Sequence, residues 1–320
     1  MLTTRTPLRI SLVGGGTDMP SFYKKHTGAV ISFTINKYVY VSINKKFDGK
    51  LRVSYSKTEN VDSVDDLQHE LVRESLKLFN IKSGLEITSI SDIPGSGTGL
   101  GSSSAFTVGL LKALGTTNGP VTLAERAFTV EADKCSHPVG KQDHYSAAFG
   151  GLNYFVFGKN KVEHNPIMPS IKMVQELQSH SLLLWTGITR DANEILKNQN
   201  KTFLDGGNIE IGKQLSRLAD DLYVEMSDGI EMERIGEYLQ KAWQLKKFLA
   251  QSITNSKVDA WYEKAIWKGA YGGKLLGAGG GGFMYFLAHP KLHDSIVEET
   301  GLRKVEFKLD YEGSQVIYES

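Results

Sequence analysis

A single cysteine, Cys135, stands in 320 residues, so no internal disulfide framework can form and a reducing compartment is expected. An excess of one charge is missing as well: 37 Lys and Arg face 36 Asp and Glu, a formal net charge of +1. That balance gives no overall attraction to nucleic acid or an anionic membrane, although a local basic pocket stays open. No apolar run approaches the ~20 residues of a membrane span, and the opening MLTTRTPLRI has no signal-peptide apolar region. A cytoplasmic protein with neither a nucleic-acid nor a membrane partner is expected. Cys/His and His/Glu spacings typical of zinc sites are lacking, as are internal repeats and low-complexity tracts. No glycine loop runs into Gly-Lys-Ser/Thr, so the lysine of a Walker A loop is absent.

What remains is 40% hydrophobic and 23% charged, as in soluble globular proteins. The length favours two domains of ~150 residues. Strand patterns fall at 8–13, at 28–43 (one strand or two, AVISFTI and KYVYVSI), and at 51–56, 85–90 and 152–157. Helical spacing covers 64–79, 105–114 and 123–134. The texture changes near 165, where Pro166 and Pro169 suggest a linker. A short strand at 181–185 then leads to helical patterns at 192–203, 209–226, 230–252 and 258–268. The apolar run FMYFLA, a helix at 291–300 and a strand at 303–308 follow. Hairpin-like neighbours at 28–56 argue against a regular βαβ series. An α+β chain with domains 1–167 and 168–320 is expected.

The richest segment is IPGSGTGLGSSSAF, residues 93–106. Pro94, Gly95, Ser96, Gly97, Gly99, Leu100 and Gly101 make a loop of little bulk, and Ser102, Ser103 and Ser104 lead into an apolar helix. A glycine loop at a helix N-terminus suits a phosphate chain, because backbone N–H groups converge where the helix dipole is positive. A plain turn with a Ser N-cap is the alternative. A second cluster, Gly277 to Gly282, fits GxGxxG, but a helix precedes it and a strand follows, the reverse of a dinucleotide site. Its glycines allow close backbone approach to a loop or a ligand.

Three segments, RTPLRISLVGGGTD (5–18), IPGSGTGLGSSSAF (93–106) and KLLGAGGGGFMYF (274–286), together resemble the GHMP kinase superfamily of galactokinases, homoserine kinases and mevalonate kinases. The resemblance covers nearly the whole chain. It implies two α+β domains, the first like ribosomal protein S5 domain 2 and the second ferredoxin-like. ATP would lie over Pro94–Ser104, and Mg²⁺ on Ser103 and Glu131. The matching family positions make Asp143 the catalytic aspartate, twelve residues after Glu131, with Arg9 as its charge partner. By the bland alternatives, Glu131 faces solvent and Asp143 and Asp18 cap helices.

The first motif follows the sugar-kinase pattern, with Arg9 nine residues before Asp18. Galactokinases have Gly-Glu-His-Thr-Asp where this chain has Gly14-Gly15-Gly16-Thr17-Asp18, which implies an opened sugar pocket lined by Gly15, Gly16, Thr17 and Asp18. Gly279 and Gly280 would close the cleft from the other side. The pattern Thr-Gly-x-x-Arg-x-Ala at 186–192 is similar to bacterial D-glycero-D-manno-heptose 7-phosphate kinases and, more loosely, to fucokinase domains. It implies that Arg190 meets a substrate phosphate; Lys37, Lys141 and Lys274 are weaker candidates, and pairing with Asp191 or Glu194 is the alternative for Arg190. The implied partner is a small sugar phosphate, for a monomer or a homodimer. His137, His144 and Cys135 read as structural residues.

Overall fold

The computed structural model describes the whole chain except Ser96, Arg190, Asp191 and Gln251. Strand β1 (Leu2–Val13) leads through helix α1 (Pro20–Tyr23) to the long strand β2 (Gly28–Lys45). Strands β3 (Leu51–Ser54) and β4 (Thr58–Val61), helix α2 (Glu70–Leu78) and strand β5 (Leu85–Ser91) come next. Helices α3 (Ser102–Ala113), α4 (Gly119–Phe128) and α5 (Gln142–Phe149) precede β6 (Leu152–Phe157) and β7 (Val162–Pro166). Then come α6 (Ile171–His180), β8 (Ser181–Trp185), α7 (Ala192–Leu204), α8 (Ile209–Asp228), α9 (Met232–Lys247) and α10 (Ser256–Trp267). Strands β9 (Gly272–Leu275) and β10 (Phe283–Leu287), helix α11 (His293–Thr300), and strands β11 (Arg303–Lys304), β12 (Leu309–Asp310) and β13 (Gln315–Glu319) complete the chain.

Two sheets result. The larger runs β13-β1-β2-β5-β3-β4, and β2 also carries β12 and the β6–β7 pair. The smaller is antiparallel, in the order β11-β8-β10-β9. The expected α+β class holds. The C-terminal unit lends its last two strands to the first sheet, since β12 pairs with β2 and β13 with β1.

The two runs at 28–43 form one strand with a bulge between them. Pro7 pairs with Tyr38 and Leu8 with Ile35, so Asn36 and Lys37 are extra. Pro7 has no N–H to give the ladder, which makes this the natural place for the irregularity. Below the bulge β2 pairs with β6, above it with β5. The hairpin expected within 28–56 is not formed: β5 sits between β2 and β3, and β3 pairs with β4 instead.

Helix α3 is buried on almost every side, as a helix apolar all round must be. The pattern at 64–79 becomes one 3₁₀ turn and then α2. The linker expected at Pro166 and Pro169 is followed directly by α6, which Ser170 starts, its hydroxyl accepting from the Met173 N–H at 3.2 Å. The strand expected at 303–308 stops after Lys304.

Candidate active site

The loop before α3 turns through Gly97, Gly99 and Gly101, all at positive φ. Gly101 is itself the N-cap of α3 and has no side chain to offer, so the Ser N-cap alternative falls. The first N–H groups of α3 therefore have no side-chain cap, and Ser102, Ser103 and Ser104 line a cleft of about 490 Å³. That is the arrangement an anion needs. The second glycine cluster seals the loop from behind. A Cβ on Gly277 would stand 2.4 Å from the Gly99 Cα, and one on Gly99 would stand 2.4 Å from the Leu276 carbonyl oxygen. Only two bare backbones can approach so closely. Of the expected phosphate-loop residues, Gly97, Gly99, Gly101 and the serines reach the cleft. Pro94 and Gly95 are exposed away from it, and Leu100 is buried, its carbonyl accepting the Arg9 N–H at 3.1 Å. Ser96 lies outside the described residues.

Strand β1 carries Arg9 beneath this loop. Its Nε donates to Asp143 Oδ1 at 2.7 Å, its Nη2 to Asp143 Oδ2 at 2.8 Å and its Nη1 to the Gly99 carbonyl at 2.6 Å. The guanidinium thus fixes both oxygens of Asp143 and the loop above it with one rigid fork. Asp143 occupies the first turn of α5, where a negative charge suits the helix dipole. It does not cap that helix.

Glu131 is 2% exposed, so it does not face solvent. The single helix expected over 123–134 is α4 followed by a π-helical turn, Thr129–Lys134. Such turns re-aim side chains and recur at functional sites. Glu131 Oε1 accepts from Ser103 at 2.6 Å, and Oε2 from Ser104 at 2.9 Å and His144 Nε2 at 2.8 Å. Burial alone would raise its pKa, but His137, His144 and Ser103 outweigh it and hold the carboxyl well below the usual range. His137 is in turn raised to about 9, by Glu131 against the effect of burial, with Glu70 adding to it. Both histidines are hydrogen-bonded supports. Burial pushes the Cys135 thiol up to about 12, which suits a filler and not a nucleophile.

Asp18 lines the same cleft as the serines. Its carboxylate accepts the Gly16 N–H at 2.9 Å and the Gln142 N–H at 3.1 Å. Helix α1 starts at Met19 without a side-chain cap, so Asp18 does not serve it. Burial and the nearby Asp143 raise its pKa, against the backbone donors. Gly15, Gly16 and Gly279 line the same cleft.

Several expected ligands are elsewhere. Thr17 is fully buried, its hydroxyl donating to the Gly14 carbonyl at 2.8 Å and accepting the Ala29 N–H at 3.1 Å. It shapes the loop and does not face a sugar. Gly280 is tied by its N–H to the Ile253 carbonyl at 2.9 Å and is not on the cleft wall. Lys274 is buried, with Nζ 3.0 Å from the Leu12 carbonyl. Leu12 is the extra residue of a bulge in β1, so its carbonyl is free of the ladder. Lys141 pairs with Glu125 at 2.6 Å, and Lys37 sits in the β2 bulge. Arg190 lies outside the described residues.

The chain's two halves match family models described as GHMP kinases N terminal domain, over residues 68–151, and GHMP kinases C terminal, over residues 208–300, together more than half of its length. The D-glycero-alpha-D-manno-heptose 7-phosphate kinase of Campylobacter jejuni is 32% identical, over 95% of this chain and 93% of the relative. The chain belongs to the GHMP kinase family. The galactokinase of Pyrococcus furiosus is 24% identical over 97% of this chain and 96% of its own. A crystal structure of a D-glycero-D-manno-heptose 1-phosphate kinase from Bacteroides thetaiotaomicron shares the two-domain fold, with a TM-score of 0.81, full coverage of both chains and 24% identity. As a GHMP kinase the chain is an ATP-dependent phosphotransferase.

Three further cleft residues of this kinase are not among the expected site residues. Lys246, from α9, is 6% exposed; its Nζ donates to the Gly277 carbonyl. Burial first, and then Arg9, lower its pKa to about 8, against Asp18 and Asp143. Gln142 and Gln199 are the others. Lys246 and Gln199 sit in ordinary helical patterns, so no sequence signal separates them from their neighbours, whereas Gln142 stands directly before Asp143.

Proposed function

We propose that this ATP-dependent sugar kinase phosphorylates the anomeric hydroxyl of D-glycero-D-manno-heptose 7-phosphate, giving the 1,7-bisphosphate for nucleotide-activated heptose and surface glycans. The observation that carries the transfer chemistry is the bidentate Arg9–Asp143 pair under the glycine loop, at 2.7 and 2.8 Å. The narrow substrate is supported by the similarity to the Campylobacter jejuni kinase, 32% identical over nearly the full length of both chains. Lys246 in the cleft also suits an acceptor that carries negative charge.

In this reading Asp143 takes or orients the proton of the anomeric hydroxyl, whose oxygen forms the new bond to the γ-phosphorus as the bond to ADP breaks. Arg9 keeps the aspartate in place while it does so. Asp18 holds sugar hydroxyls with the lone pairs its two backbone donors leave free. Gly97 to Ser104 cradle the triphosphate, and the α3 N-terminus stabilises charge developing on it. Ser103 and Glu131 put hard oxygens 2.6 Å apart on the cleft wall, a donor set that fits Mg²⁺. Ser103 and Glu131 would hold Mg²⁺ together with oxygens of the bound nucleotide. Mg²⁺ supplies charge neutralisation at the phosphates.

The test is coupled ADP release with Mg-ATP and a panel of D-glycero-D-manno-heptose 7-phosphate, mannose 6-phosphate, mannose, L-fucose and galactose. Preference for the heptose phosphate is expected. Preference for an unphosphorylated sugar would retain the kinase and discard the phosphate pocket.

A further inference from the structure

In the first loop, Gly15 and Gly16 leave space that the structure fills from elsewhere. A Cβ on Gly16 would lie 2.2 Å from Gln199 Nε2 and 3.3 Å from Leu249 Cδ1. A Cβ on Gly15 would lie 3.1 Å from Ser11 Oγ and in ordinary contact, at 3.5 Å, with Gln142 Nε2. Two amides therefore stand over the two bare glycines, one from α5 and one from α7, on opposite halves of the chain. The pocket is not simply emptied.

Both amides have unmet hydrogen-bonding capacity. Among the described residues, Gln199, 2% exposed, has no partner for its Nε2, and Gln142, 9% exposed, has none for its Oε1. A buried amide without a partner is destabilising unless something else supplies the bond. Both side chains line the cleft that holds Asp18 and Asp143. The Gln142 backbone is pinned there, since its N–H donates to Asp18 Oδ2 at 3.1 Å. Whichever way each amide is turned, it offers an N–H donor and a C=O acceptor. A sugar hydroxyl is both donor and acceptor, and a hydroxyl-bearing chain lying beside Asp18 meets both groups.

We infer that Gln199 and Gln142 are specificity-determining residues that read hydroxyls of the acceptor, taking the place of side chains missing at positions 15 and 16. This rests on the sugar-kinase reading above. Because the two come from different halves of the chain, the acceptor is gripped across the cleft, which aligns it with Asp143.

The test compares the full-length wild type with Gln199→Met, which keeps volume and removes both polar atoms, and with Gln199→Glu, which keeps the acceptor and removes the donor. Each is assayed with the best sugar of the panel and its monodeoxy analogues. For Gln199→Met, KM for the sugar should rise roughly tenfold, the loss of about one hydrogen bond, while KM for ATP stays within about twofold. The wild type should discriminate against one deoxy analogue by a similar factor, and Gln199→Met should not. That loss of discrimination at one hydroxyl is something a purely structural residue would not produce. Gln199→Glu provides the same comparison if the Met variant fails to fold. An active wild type whose variants retain its full deoxy-analogue selectivity would overturn the inference alone. A wild type that phosphorylates none of the sugars would overturn the sugar reading, and this inference with it.

Discussion

Asp143→Asn isolates the chemistry assigned to the Arg9 pair. The substitution is isosteric and removes the charge. Arg9 now donates to both carboxylate oxygens, at 2.7 and 2.8 Å. An amide keeps one acceptor and turns an NH₂ toward a donor, so one of two charge-assisted bonds is lost, costing about 1.5–3 kcal/mol. The Arg9 side chain is only 4% exposed, so water cannot replace that bond well. A thermal midpoint lower by roughly 5 °C is expected. Turnover should fall further than stability does. Loss of a positioned proton acceptor typically costs about 10²–10⁴ in rate. Coupled ADP release under saturating substrates measures the first quantity. Calorimetry with a non-hydrolysable ATP analogue measures whether the nucleotide site survives, and its affinity should change by less than roughly threefold, since Arg9 still holds the Gly99 carbonyl. Retention of more than about a tenth of the wild-type turnover would refute Asp143 as the group that serves the acceptor.

Other outcomes follow from the same geometry. Thr17→Val should lower stability by about 1–3 kcal/mol in urea, because the Ala29 N–H loses its buried partner, with no change in KM for sugar; a raised KM would return Thr17 to the sugar site. Ser103→Ala, which removes the hydroxyl 2.6 Å from Glu131, should raise the Mg²⁺ concentration for half-maximal activity on the order of tenfold, and an unchanged requirement would place the metal elsewhere. The Lys246 ammonium is charged below about pH 8 and neutral above it. If its charge attracts the acceptor, kcat/KM should fall as pH rises through about 8, and Lys246→Met should abolish that limb; a limb that persists in the variant belongs to another group. Gly277→Ala must displace the phosphate loop, since its Cβ would stand 2.4 Å from the Gly99 Cα, so KM for ATP should rise more than KM for the sugar.

Much of the site was legible because the chemistry is local in sequence. A run such as GSGTGLGSSS reads as a phosphate-loop candidate without reference to a distant partner, since its backbone freedom and its place before an apolar helix point that way. The alternating strands at 8–13 and 85–90, and the long helices after 192, follow from periodicity in the same way. Arg9, Glu131 and Asp143 were legible only by motif; as bare residues each had a bland alternative. Their contacts, across 134 residues between Arg9 and Asp143, excluded those alternatives.

What sequence alone determined was therefore the kind of chemistry, the two-part α+β organisation and the segments that supply the glycine loop and the carboxylates of the cleft. Tertiary structure alone decided which polar side chains turn inward to the fold and which face the cleft. Thr17 and Lys274 look like ligands along the chain, yet each satisfies a buried backbone group. Lys246 and Gln199 look like ordinary helical residues, yet packing brings them, with Gln142, to the cleft wall. The reason is that a buried polar group must find a partner, and whether that partner is backbone or substrate depends on which distant segments pack against it.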